Sequence, residues 1–469
     1  MQLKKSLKKI IKQNDLVAAG NKVLLAVSGG PDSLAMLELF CQISSEFAIE
    51  IAVAHFDHQF REESAAEAEF VKNKAAQLGV EFYLKTVDLP ALIKQNNLSA
   101  ETAAREARFK FFRKLMIEKQ FDLLALAHHQ DDQAETVLLN LFRGSGLQGL
   151  GGIDLKLNFK GIEIIHPLLY FSKEEILNYC RTNNLQPCFD SSNQESIYSR
   201  NIIRNQILPL VEKKLNPQVK EVIARNAEIL TAEDNFLNKL ALTSYQQLML
   251  SESKLEIALD LTDFKKQEQV LQRRVLRLAY QKLNNNLEDL YLEHILEIEK
   301  LLLSEQTGRG IDLPGRIRVE ISYDRLVFIK VAQNLVSNNL TYQKLSLAKI
   351  VNWNQNFSLQ AAIVSSEDFE ITNTKLQAAF DLNKLELPLF IRSRKSGDRL
   401  QPLGMKGEKK VKDILIDAKV PLYKRDQLPI IVDSADNIIW VAGYKMANNY
   451  KITKATTKIL VLNLIFNQK

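Results

Sequence analysis

Four short apolar runs in the first third of the chain, each followed by a stretch with helical spacing, restrict its fold more than any other feature. They are Lys22-Val-Leu-Leu-Ala-Val-Ser, Ile49-Glu-Ile-Ala-Val-Ala-His, Phe82-Tyr-Leu-Lys-Thr-Val and Leu123-Leu-Ala-Leu-Ala-His. Between them, Asp32–Ser44, Ser64–Leu78 and Ser99–Lys119 repeat apolar and small residues at the interval of a helix face. Strands alternating with helices predict an α/β fold with a doubly wound parallel sheet covered on both faces. Ligands of such sheets bind beyond the carboxyl ends of the strands. Polar residues collect there: Ser28, His55, Asp57 and His58, and His128 end three of the runs.

The 469 residues allow two to three domains. We read residues 1–215 as the catalytic α/β domain. Residues 216–332 form a mainly helical middle domain whose end, Ile317–Lys330, reads as a hairpin. Polar residues predict a linker or irregular segment over 333–384, and 385–469 form a small α+β domain. No apolar run approaches the ~20 residues of a membrane-spanning helix. The basic, amphipathic start lacks the apolar core of a secretory signal and reads as a first helix. Three cysteines without C-x-x-C spacing suggest no disulfide framework or zinc ribbon and fit a reducing compartment. The net charge is +6, and Phe390–Arg425 alone carries 11 Lys/Arg against 4 Asp/Glu. A basic block on an otherwise near-neutral chain has the form of a polyanion footprint, though a solvated lysine-rich surface has the same composition.

Val27-Ser28-Gly29-Gly30-Pro31-Asp32-Ser33 joins the first strand to a helix. The glycines admit positive φ and close approach of phosphate to backbone. Pro31 suits a first helical turn, whose unpaired N–H groups attract anions. Ser28 and Ser33 add hydroxyls. The loop lacks both the Walker lysine and the G-x-G-x-x-G of dinucleotide sites. SGGPDS resembles the signature of the PP-loop ATP pyrophosphatases, which release pyrophosphate and pass AMP to an acceptor. That resemblance implies ATP as cofactor, bound by Ser28, Gly29, Gly30, Pro31, Asp32 and Ser33, with His55 and His128 nearby.

A second cluster, His128-His129-Gln130-Asp131-Asp132-Gln133-Ala134-Glu135-Thr136, ends the fourth strand and opens a helix. Asp132 and Glu135 are three apart and share a helix face. Two carboxylates there suit Mg²⁺, which prefers oxygen ligands. Arg105 and Arg108, also three apart, are candidates to face ATP phosphates or RNA.

The whole arrangement is similar to the tRNA(Ile)-lysidine synthetase family. The likeness covers SGGPDS, Ala54–His58, Ala104–Phe109, His128–Thr136, the RGSGLQGLGGI from Arg143 and Ile165–Leu169. It continues through Asp190-x-x-Asn193, Arg200–Arg204, Thr307–Gly315, Arg392–Arg399, Lys409–Asp413 and Arg425. It implies that the protein adenylates C2–O of the wobble cytidine in a tRNA(Ile) with a CAU anticodon. The side-chain amine of free L-lysine then displaces AMP, giving lysidine and changing decoding from AUG to AUA. It further implies catalytic roles for Asp32, Asp132, Glu135 and Arg105, with Asp132 and Glu135 on Mg²⁺. Lysine would meet Asp32, or less aptly Asp57 or Glu135. The tRNA would meet Arg108, Arg143, Arg200, Asn201, Arg204, Arg392, Arg394, Arg399, Lys409, Lys410, Lys412 and Arg425. A cytoplasmic enzyme without membrane attachment is expected, and the sequence leaves oligomeric state open, a homodimer included. A PP-loop tRNA thiolase is the nearest rival, but the chain lacks paired catalytic cysteines. A catalytically dead tRNA-binding protein would not need Asp32, Asp132 and Glu135.

Overall fold

The computed structural model describes residues 2–59, 64–89, 100–188, 199–304, 308–331, 342–347, 349–354, 357–367, 369 and 375–467. Ser99, Asp190, Asn193 and Thr307, which sequence analysis singled out, lie outside them. The chain divides into two compact units, Met1–Leu237 and Asn238–Lys469.

The first unit begins with helix α1, Gln2–Gln13, whose Leu3, Leu7 and Ile11 recur at four-residue intervals and are buried. There follow strand β1 (Lys22–Ala26), helix α2 (Pro31–Phe47), β2 (Glu50–Asp57), α3 (Ser64–Gln77) and β3 (Glu81–Thr86). Next come α4 (Ala100–Lys119), β4 (Leu123–Ala125), α5 (Gln130–Phe142), β5 (Lys156–Phe159), β6 (Ile162–Ile165) and α6 (Lys173–Thr182). The sheet order is β3-β2-β1-β4-β6-β5, parallel except for β5, an edge strand that pairs antiparallel with β6. Strand period decides which side chain faces which layer. Val23, Leu25, Val53 and Ala125 join a core with residues of α1, α2, α3 and α6, among them Leu7, Phe40, Val71 and Ile176. Leu24, Ala52, Ala54 and Leu124 turn the other way, onto Phe112, Leu115 and Met116 of α4. A strand buried on both faces must be apolar throughout, which is why these runs were continuous and not alternating. The chain winds outward from β1 to β3 and then crosses to β4 on the other side of β1. The carboxyl ends of β1 and β4 therefore flank the switch point where such sheets open a crevice.

After the end of the helix Val219–Leu248, the second unit contains β7 (Met249–Glu252) and β8 (Glu256–Asp260), then helices Gln269–Asn284 and Leu292–Leu303, then β9 (Gly310–Leu313), β10 (Ile317–Ser322) and β11 (Arg325–Lys330). The five strands make one antiparallel sheet, β7-β8-β11-β10-β9, with Ile317 opposite Lys330 in the β10–β11 hairpin. Val275, Ala279, Ile295 and Ile298 of the helices pack on Val319, Ile321 and Phe328 of the sheet.

Within 333–384, where polar composition predicts an irregular linker, Phe357–Ser365 and Gln377–Asp381 are strands on either side of Lys458–Phe466. Phe357–Ser365 does not alternate cleanly between buried and exposed positions, and the strand that completes it lies about a hundred residues further on. Local pattern could not reveal it. A second C-terminal sheet is built on Phe390–Arg392, Ile430–Val432 and Ile438–Val441, and a short ribbon pairs Arg399 with Lys410. No helix among the described residues is long and apolar enough to cross a membrane.

Candidate nucleotide site

Gly29 turns the chain from β1 into α2 at φ +93°, a conformation L side chains rarely adopt. A Cβ there would also sit 3.3 Å from Val71 Cγ2 and 3.8 Å from Cys188 Sγ, and the Cys188 N–H donates to Gly29 O at 3.0 Å. Gly30 is the N-cap of α2 and offers no capping side chain, so the first-turn N–H groups keep their anion affinity. The serines brace the loop. Ser33 Oγ donates to Gly30 O at 3.0 Å and accepts from Ser28 N at 3.1 Å, and Ser28 Oγ lies 3.2 Å from it. Ser33 was expected to offer its hydroxyl to phosphate; here that proton is spent on the turn.

A cavity of about 230 Å³ opens between the ends of β1, β2 and β4. Ala54, Phe56, Phe112, Leu126 and Ala127 make its apolar wall, and Ser28, Asp32, Ser33, His58, Arg108 and His128 its polar rim. Strand period explains one correction. Ala54, Phe56 and His58 point into the cavity, so His55 and Asp57 do not. His55 is instead 2.8 Å from Val27 O through Nδ1, and Asp57 Oδ1 accepts from Gln59 N at 2.9 Å. Helix period explains another. Arg108 and Phe112, four apart, share the cavity face of α4, whereas Arg105 is exposed beside the Phe109 ring at 5.9 Å. No carboxylate of another described residue forms an ion pair with Arg108. Its Nε–H is buried without a hydrogen-bond partner among the described residues, and burial, then Arg105, lowers its pKa. His128 Nδ1 is likewise buried and unpartnered among them, with the His166 ring 4.8 Å away. Burial first, and His166 second, pushes the His128 pKa down. Burial and then Arg108 bring His58 to about 4. Both rings are therefore neutral near pH 7.

Beside the cavity the acids of the second cluster each have cationic partners. Glu135, 1 % exposed in its side chain, accepts from Arg204 Nε (2.5 Å) and Nη2 (2.8 Å) and from Arg200 Nε (2.8 Å). Asp132 Oδ1 accepts from Nη2 of both arginines at 3.1 Å. Its Oδ2 accepts from His129 N at 3.0 Å and lies 3.3 Å from His129 Nε2. Burial works against the charge of Asp132, but His129, Arg200 and His128 outweigh it and lower its pKa. Two carboxylates and two guanidiniums thus cancel. As they stand, these acids do not fit Mg²⁺, which needs acidic oxygens not already shared among N–H donors. The same contacts correct the expectation for the arginines: Arg200 and Arg204 hold acids here and are not free for phosphate. Asn201 belongs to the same helical turn, and Arg143 is exposed at the far end of α5.

Three residues of the site went unassigned in the sequence. His129 links the two halves: its Nε2 is 3.8 Å from Asp32 Oδ1 as well as 3.3 Å from Asp132 Oδ2. Lys173 Nζ lies 2.7 Å from both oxygens of Asp32. Lys220 Nζ donates to Asp131 Oδ2 at 2.8 Å. The lysines are 141 and 89 positions from their partners, and no local spacing signals such pairs.

The C-terminal basic block divides by burial. Arg392 is 2 % exposed and donates to Asp398 at 2.8 and 2.9 Å and to Asp436 at 2.7 Å, a structural anchor and not an RNA contact. Arg425, also buried, donates to Val420 O and to the Tyr323 hydroxyl. Arg394 is paired with Asp426 and Lys409 with Asp417. Arg399, Lys410 and Lys412 remain exposed, with no ion pair to another described residue.

Residues 1–211 match a family model described as a PP-loop domain, 259–327 one described as a TilS substrate binding domain, and 389–463 one described as a TilS substrate C-terminal domain. The chain is 33% identical over 463 residues to a tRNA(Ile)-lysidine synthase of Caldanaerobacter subterraneus, covering 98% of this chain and 97% of that one. It is 31% identical over 461 residues to that of Clostridium tetani, covering 97% and 96%. A bifunctional TilS/HprT protein of Listeria monocytogenes is 36% identical over 442 residues, 94% of this chain and 67% of the relative.

Proposed function

The chain belongs to the tRNA(Ile)-lysidine synthase family, and from that premise we propose how its residues make lysidine. The enzyme uses ATP and acts on tRNA(Ile). The observation that carries the reading is the cavity at the β1/β4 switch point, which runs from an apolar wall to an uncapped helix start and a carboxylate, Asp32.

The adenine lies against Phe56, Phe112 and Leu126, and the phosphates lie over Gly29, Gly30 and the first turn of α2. O2 of the wobble cytidine attacks the α-phosphorus; the O2–P bond forms as the bond to the bridging oxygen breaks and pyrophosphate leaves. The exocyclic oxygen O2, a poor leaving group, has become part of a good one. Arg108 and the neutral His128 supply N–H donors toward charge that grows on the α-phosphate. The side-chain nitrogen of L-lysine then attacks C2, the C2–O2 bond breaks, and AMP leaves with that oxygen. The attacking nitrogen must shed a proton, and Asp32 accepts it. The quartet of Asp132, Glu135, Arg200 and Arg204 holds the wall beside the reacting base. Such an enzyme works in the cytoplasm, with its tRNA.

Incubation with radiolabelled lysine, ATP and total tRNA tests the reading. Acid-stable label in an isoleucine tRNA is the expected result; label in no tRNA sinks it.

Arg399, Lys410 and Lys412 are the phosphate contacts of the C-terminal domain in this reading. Arg399 and Lys410 are direct cross-strand partners, a like-charge pairing that weakens a ribbon unless an anion offsets it. Replacing Lys410 and Lys412 together by Ala is expected to weaken tRNA binding and to reduce the slope of log K against log salt by about 1.4–1.8, two phosphate contacts' worth. An unchanged slope in filter binding across a salt series removes the two lysines from the RNA interface.

A further inference from the structure

Val27–Ser33 carries no lysine of its own, yet one reaches it from a distant helix. Lys173 is the first residue of α6, and its ammonium is within 2.7 Å of both oxygens of Asp32, the second residue of α2. Its backbone is fixed from several sides. Ser172 caps α6, accepting from Glu175 N at 3.2 Å, while Glu175 accepts from Ser172 N at 2.8 Å. The Lys173 N–H donates to Asp131 Oδ1 at 3.1 Å. α6 also leans on α2 through Tyr179, whose hydroxyl accepts from Gln42, and through Cys180, which donates to Pro31 O at 3.5 Å. The side chain itself keeps 35 % of its surface exposed. A rigid base therefore carries a four-carbon stem free to change partner.

We propose that Lys173 is the triphosphate-binding lysine of this site, parked on Asp32 until ATP arrives and then transferred to the β- and γ-phosphates. The proposal rests on the reading that the glycine loop holds ATP. Two facts favour it. The uncapped start of α2 and the Lys173 ammonium converge on the same few ångströms, where a polyphosphate with several negative charges outcompetes a single carboxylate. Asp32 is also blocked while Lys173 occupies it, because both its oxygens already face an ammonium of the same chemistry as the lysine substrate's. Binding of ATP frees that carboxylate for the incoming amine, so nucleotide precedes lysine.

ATP and AMP binding to the full chain, without tRNA, separates this role from a merely structural one. Lys173→Met is expected to weaken ATP roughly 10- to 100-fold, the range of a lost charge-assisted contact, and to change AMP affinity less than about twofold. Lys173→Arg should recover most of the ATP affinity. Retained AMP binding shows that the variant is folded. Equal loss of ATP and AMP in both variants, or loss of neither, overturns the proposal while leaving the nucleotide reading of the unaltered chain standing. Failure of the unaltered chain to bind ATP overturns the nucleotide reading itself, and this proposal with it.

Discussion

Replacing Asp32 by Asn is expected to slow transfer of lysine to tRNA by roughly 10²- to 10⁴-fold, the usual contribution of a positioned general base, and to spare ATP binding. Asn keeps the shape of the side chain at the start of α2, so the loop braced by Ser28 and Ser33 stays in place. What disappears is the only carboxylate among the described residues of the cavity rim, the group 2.7 Å from Lys173 and 3.8 Å from His129. In the proposed mechanism adenylation of the cytidine does not use that group, and lysine attack does. Label from the α-phosphate of ATP should therefore accumulate on tRNA in the variant, as adenylated intermediate, while lysine incorporation falls. If label fails to accumulate because both steps drop by the same factor, Asp32 is not the base.

Truncating Glu135 to Ala should destabilise the N-terminal unit by about 3 kcal/mol, the lower end of the range for breaking a buried ion pair. The carboxylate is 1 % exposed and accepts three bonds from two arginines, and its loss leaves both guanidiniums facing Asp132 alone. The lower end applies because the arginine side chains keep 34 % and 35 % of their surface and can recruit water. Replacing Asp132, Glu135, Arg200 and Arg204 together by apolar residues of similar volume should restore much of that stability without restoring activity. Both tryptophans, Trp353 and Trp440, belong to the C-terminal unit, so their fluorescence does not follow this change. Amide exchange within α5 does. Protection there that changes by less than about 1 kcal/mol would mean the quartet is not what holds the helix.

How far the sequence reveals such a site depends on the distance between partners. Strands β1, β2 and β4 are legible because burial on both faces writes an uninterrupted apolar run, whereas the edge strand β5 alternates and leaves no such run; the loop is legible because glycine, proline and helix start occupy adjacent positions. Sidedness is legible in the strand period. Period two separates His55 and Asp57 from Phe56 and His58, and only the second pair lines the cavity. Pairings were not legible at all. Asp132 and Glu135 look like metal ligands until Arg200 and Arg204, 65 to 72 residues on, arrive to neutralise them. Arg392 and Arg425 look like an RNA surface until Asp398, Asp436 and the Val420 carbonyl bury them. Charge type is written in sequence, whereas charge availability is set by the fold.

The central claim is that the cavity between β1 and β4 commits ATP to cleavage between its α- and β-phosphates so that AMP can activate one base of tRNA(Ile). Counting products in a single incubation of the protein with tRNA(Ile), ATP and lysine tests it most directly. One AMP and one pyrophosphate should appear for each lysine attached to the tRNA, and neither without tRNA. ADP and phosphate in their place, or lysine attached with no pyrophosphate released, would contradict it.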